Sequence, residues 1–94
     1  MPAVKVPIHP GEILREEFIG PANITQEQLA HAMDVSRRTV NEIVRGRRRL
    51  TAEMAIRLSK VLGTSAELWM GLQDDYDLLT APKITGLKRL KLSA

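Results

Sequence analysis

The chain has 94 residues, a net charge of +3, no cysteine and few aromatic residues. That length fits one small domain, and the absence of cysteine excludes a disulfide framework or a thiolate metal site. No apolar run approaches the roughly 20 residues of a membrane span, and the proline-rich start lacks the apolar core of a secretory signal. A soluble, cytoplasmic protein is expected.

Residues 1–9 read as an extended arm, because Pro2 and Pro7 push their predecessors out of helical geometry. Pro10 suits a first helical turn, where its missing amide is not needed. The helix it opens runs to about Ile19, with Ile13, Leu14 and Phe18 inward and Glu12, Glu16 and Glu17 outward. Gly20 and Pro21 stop it.

The second and third helices are the strongest pattern in the chain. Thr25 caps the second, and Gln28, three residues on, completes a capping box. Leu29, Ala30 and Met33 form its apolar face, with Ala30 small enough for a close crossing. Asp34 tolerates the left-handed conformation that a sharp turn demands. Val35 plugs the corner and Ser36 caps a third helix, whose buried face is Val40, Ile43 and Val44. Two short helices joined by a tight turn make a helix-turn-helix. Arg37, Arg38, Asn41, Glu42 and Arg45 are left exposed on the third helix, beside Thr39, and Arg47, Arg48 and Arg49 follow Gly46.

Thr51 caps a fourth helix with an apolar stripe of Met54, Ala55, Leu58, Val61 and Leu62, ending at Gly63. Thr64 with Glu67 reads as a second capping box. The fifth helix carries Leu68, Trp69, Leu72, Tyr76 and Leu79 on one face. Gly71 interrupts it at a cost of about 1 kcal/mol relative to alanine, which close packing would explain. Pro82 ends regular helix. The basic tail, 82–94, reads as a weakly ordered segment or a short strand. The division is therefore 1–9 arm, 10–81 helical domain, 82–94 tail.

Charge is segregated along this order. Residues 1–35 carry −3, residues 36–49 carry +5, residues 50–82 carry −3 and residues 83–94 carry +4. Such islands suit a polyanion-binding face. Arginine can fork onto guanine and asparagine onto adenine in the major groove. Arg37, Arg38, Asn41 and Arg45, with Thr39 beside them, are therefore candidates for base edges. Gln26 and Ser36 are candidates for phosphate, and Arg47, Arg48 and Arg49 for gripping the backbone. The bland alternative is a solvated helix end whose arginines complement the helix dipole.

Other chemistry finds little support. His9 and His31 are the only histidines and sit on separate elements without a paired cysteine. Ser36 and Ser65 read as helix caps, and Asp74, Asp75 and Asp77 as a solvated acidic face. No catalytic site, metal or cofactor is expected. A module that binds only protein is a second alternative, with Trp69 and Tyr76 as anchors. Trp69 also suits the core, while Leu72, Tyr76 and Leu79 remain candidates, with it, for a twofold interface.

The five-helix pattern resembles the lambda-repressor-like domain. More narrowly, HPGEILREEF, the turn motif and LTAEMAIRLSKVLGTSAELWMGLQDDYDL resemble the HigA family of antitoxins over residues 9–79. Asp34 stands where glycine is usual, and the tail after Leu79 follows no family pattern. The resemblance implies a homodimer that represses its own operon by binding double-stranded operator DNA. It also implies a HigB-type toxin partner that cleaves mRNA. An RNA-cleaving toxin presents basic surface, which makes Glu12, Glu16 and Glu17 candidates for holding it. The alternative is a stand-alone or prophage-type repressor, which the identity of the neighbouring gene would distinguish.

Overall fold

The computed structural model describes residues 6–93, so Pro2 and Lys5 of the expected arm lie outside the described residues. Helix α1 (Pro10–Ile13) runs on into a π-helical segment (Leu14–Ile19). Then come α2 (Gln26–Met33), α3 (Arg37–Val44), α4 (Ala52–Leu62) and α5 (Ala66–Thr80). No strand occurs among the described residues. The architecture is all-α, as expected.

Helix starts follow the chemistry of their caps. Thr25 Oγ1 accepts from the Gln28 amide at 3.0 Å, and Gln28 Oε1 accepts from the Thr25 amide at 2.9 Å, closing the capping box. Ser36 and Thr51 cap α3 and α4 through the amides of Thr39 and Met54. Such a cap is worth about 1 kcal/mol. Of the two caps read for α5, only one is used. Ser65, not Thr64, accepts from the Leu68 amide at 3.1 Å. Thr64 Oγ1 instead accepts from Trp69 Nε1 at 2.7 Å, giving a buried indole the partner it needs.

The first helix also departs from a regular winding. The Gly20 amide donates to the Arg15 carbonyl, five residues back, at 2.9 Å. Wider winding sets residues five apart on one face. Leu14 and Ile19 are thus both buried, and Phe18 tilts against Trp69 with ring centroids 5.2 Å apart.

The core gathers Leu14, Leu29, Met33, Val40, Ile43, Leu50, Leu58 and Trp69, drawn from the π-helical segment, from α2 to α5 and from the loop before α4. Three expectations of burial fail. Val61, Leu68 and Leu79 are exposed because the stripes they extend run past the edge of a small core. Gly71 is also exposed, and a Cβ there would meet nothing within 4 Å, so close packing does not account for it. Nothing in the structure explains that glycine. Residues 82–93 form neither helix nor strand, and they lie exposed, with a bend at Gly86.

Candidate nucleic-acid interface

The turn between α2 and α3 is closed by backbone bonds. Asp34 adopts φ 56° and ψ 48°, the left-handed conformation expected of it. Its amide reaches the His31 carbonyl, and the Val35 amide reaches the Ala30 carbonyl at 3.0 Å. This pairing is the Schellman closure, usually made with glycine. Arg57 on α4 secures it from outside, donating from Nη1 to the Met33 carbonyl at 2.7 Å. The sequence marks Arg57 only as a charge, and its contact lies 24 residues away.

Helix α3 is thereby presented with a buried and an exposed side. Val40, Ile43 and Val44 are buried, while Arg37, Arg38 and Arg45 are exposed. Arg37, Arg38 and Asn41 line a shallow depression on the outer face. Asn41 is half-buried rather than fully exposed, because its Nδ2 donates to Gln26 Oε1 at 3.0 Å. This bond joins the first residue of α2 to the middle of α3. Thr39 is half-buried, with its hydroxyl 2.9 Å from that of Ser36. The Ser36 hydroxyl also caps the helix, so it is already occupied within the chain.

Glycine at 46 ends α3. With φ 72°, it lets its own amide reach Ile43 and the Arg47 amide reach the Glu42 carbonyl at 2.8 Å. The three arginines that follow are exposed but not equivalent. Arg48 pairs with Glu42 at 2.9 Å, and Arg49 pairs with Asp77 on α5. Arg47 has no ion pair among the described residues.

His9 fastens this end of the domain. Its Nδ1 accepts from the Gly11 amide at 2.9 Å, capping α1, and its ring meets Tyr76 edge-on with centroids 5.0 Å apart. Burial pushes its pKa down from the usual histidine value, which the Arg48 backbone and Asp77 oppose. His9 acts as a cap and wedge, while His31 is exposed on α2. Among the described residues, no group of three or more acidic, cysteine or histidine residues is arranged to hold a metal. No helix there is long and apolar enough to cross a membrane.

Helix α5 distributes its expected interface residues unequally. Trp69 is fully buried within the protomer and has no surface to offer a partner. Leu72, Tyr76 and Leu79 line an apolar groove of about 330 Å³ with Val6, Ile8 and Ile13. Glu12, Glu16 and Glu17 are all exposed on the first helix, where Glu16 pairs with Arg15 at 2.9 Å.

Comparison with known proteins places this arrangement. A helix-turn-helix family matches residues 14–69. Antitoxin HigA-1 of Vibrio cholerae is 43% identical over 72 residues, covering 77% of this chain and 68% of that protein. The chain belongs to the HigA family of antitoxins. A solved structure of Pseudomonas aeruginosa antitoxin HigA with the higBA promoter is 54% identical, with a TM-score of 0.79. The match covers 81% of this chain and 83% of that one. Antitoxin GraA in complex with its operator is 47% identical, with a TM-score of 0.78 over 86% of this chain and 82% of that one. The HigA family is a family of helix-turn-helix antitoxins, not of enzymes, and its fold is lambda-repressor-like. In this HigA-family chain, sequence reasoning missed Gln73, which takes the Leu50 amide, and Gly11, which packs against the Ile43 backbone. Each acts through a tertiary contact that no local spacing announces.

Proposed function

We propose that this chain is a dimeric, sequence-specific DNA-binding antitoxin that represses its own operon and neutralises a HigB-type, mRNA-cleaving toxin. The Gln26–Asn41 hydrogen bond carries the DNA half of this reading. A side-chain amide has two N–H donors and one carbonyl acceptor. Gln26 occupies one Asn41 donor, leaving one N–H and the carbonyl oxygen of Asn41 for a ligand. Adenine offers the complementary pair, an acceptor at N7 and a donor at N6, in the major groove. Gln26 keeps its own N–H donors for a phosphate. Arg37 and Arg38 supply forks for guanine, Thr39 lies beside them, and Arg45 and Arg47 continue the cationic edge. The promoter and operator complexes of the HigA and GraA relatives support this reading.

Binding-site selection tests it. Asn41→Ala should lose about 1–3 kcal/mol of discrimination at one base position. Arg47→Ala should weaken all duplexes alike. Unchanged base preference in Asn41→Ala would sink the assignment.

A second copy seated on the apolar groove of Leu72, Tyr76 and Leu79 would bury surface that a lone protomer leaves open. The operator is then a palindrome with half-sites roughly 34–36 Å apart. For the toxin, the exposed Glu12, Glu16 and Glu17 offer charge opposite to that of an RNA-binding surface. Reversing all three to lysine should abolish protection when the toxin is co-expressed, while operator binding survives. Full protection by that variant would place the toxin contact elsewhere.

A further inference from the structure

Two of the three arginines behind α3 are held by carboxylates of the chain itself. Arg48 donates from Nε and Nη2 to Glu42 Oε1, at 3.3 and 2.9 Å. Arg49 donates from Nη2 to Asp77 Oδ2 at 2.5 Å. Ion pairs between freely exposed side chains contribute little, because both partners must be ordered to form them. Here both carboxylates are backed from behind.

Glu42 binds the loop twice. Its backbone carbonyl receives the Arg47 amide, and its side chain, only 29% exposed, receives Arg48. Asp77 belongs to a chain of bonds reaching into the core. Its Oδ1 accepts from Gln73 Nε2 at 2.8 Å, and Gln73 Oε1 accepts from the Leu50 amide at 2.6 Å. Gln73 and Leu50 are both buried. Leu50 directly follows the arginines, so α5 holds this loop by a backbone amide and a side chain together. The Arg49 guanidinium and the Gln73 amide hold the Asp77 carboxyl below the usual carboxylate range.

A guanidinium facing a carboxylate brings almost no net charge to a DNA phosphate. The carboxylate also repels that phosphate at the same short range. The sequence-independent part of DNA affinity comes from phosphates neutralised and counterions released, so paired arginines add little to it. We propose that Glu42 and Asp77 are positioning residues that restrain Arg48 and Arg49 and so limit sequence-independent DNA binding. This inference rests on the DNA-binding reading above. It assigns the gripping of phosphates to Arg37, Arg45 and Arg47, and it gives Arg48 and Arg49 to the protein's own frame, while Arg38, 4.0 Å from Glu42 Oε2, is held only loosely.

The test measures affinity for the operator and for an unrelated duplex across a salt series. It uses the full chain, Glu42→Gln and Asp77→Asn, with Glu42→Gln repeated in an Arg48→Ala background. Each freed arginine should add one phosphate contact per protomer. That steepens the slope of log K against log salt by about 0.9 per protomer and tightens the unrelated duplex about eightfold per contact at 0.1 M salt. Without Arg48, the Glu42→Gln effect should largely disappear. Slopes unchanged in Glu42→Gln, or an equal effect with and without Arg48, overturn the proposal. If Asp77→Asn fails to fold, as read by circular dichroism, the Glu42 series decides alone. An unsubstituted chain that binds neither duplex refutes the DNA-binding reading and this inference with it. Normal binding with insensitive variants refutes only the restraint.

Discussion

Raising salt from 50 to 200 mM is expected to weaken operator binding by about three to five orders of magnitude. The cause is the +5 island at residues 36–49, set on a body of opposite charge. Each protomer offers Arg37, Arg38, Arg45 and Arg47, with Gln26 and the Ser36 amide beside them. If a protomer neutralises about three to five phosphates, log K for the proposed dimer falls with log salt at a slope of about −5 to −9. Carboxylate restraint of Arg48 and Arg49 places the slope at the shallower end. Fluorescence anisotropy on labelled operator across four or more salt concentrations measures it. An affinity that ignores salt would mean that the basic island does not face the backbone.

Gly11→Ala is expected to be the most damaging single methyl addition in the domain. A Cβ at this position would stand 1.8 Å from the Ile43 carbonyl oxygen and 2.6 Å from its carbon. Those atoms are backbone and cannot swing aside, so α1 must move away from α3. Overpacking of this kind costs about 1–3 kcal/mol and occasionally more, outweighing the roughly 1 kcal/mol that alanine gains over glycine in a helix. For a domain this small each kcal/mol lowers Tm by about 4–8 °C. A net loss of about 1–2 kcal/mol therefore lowers Tm by about 4–16 °C, as read by circular dichroism. Operator binding should weaken even below that Tm, since the displaced contact bears on the end of α3. A variant melting with the wild type would contradict the close approach.

What the sequence makes legible here is local chemistry. Thr25, Ser36 and Thr51 cap helices where their spacing places them, and Asp34 takes the left-handed turn without glycine. Each needs only neighbours within five residues. The choice at α5 shows the boundary of such reasoning. Thr64 and Ser65 are adjacent and both suited to capping, and a buried indole decides between them. The π-helical winding escapes for a similar reason, since Leu14 and Ile19 reveal their common face only once both are buried. At the interface, the arginines and Asn41 are visible as residue types, but their partners are not. Gln73 sits 23 residues from the Leu50 amide it satisfies, and Gln26 sits 15 from Asn41. A polar side chain on an apolar helix face looks like an interruption until its distant partner is known.

The hydrogen bond between Gln26 and Asn41 bears on how this protein could change its target. Position 41 cannot be treated as a single letter of a recognition code. A side chain there that lacks the Asn41 amide would release Gln26, the group proposed to set α2 against the DNA backbone. Retargeting therefore requires the two positions to be exchanged together, as a syllable. A library that randomises both should yield new binding preferences that libraries of either position alone do not contain.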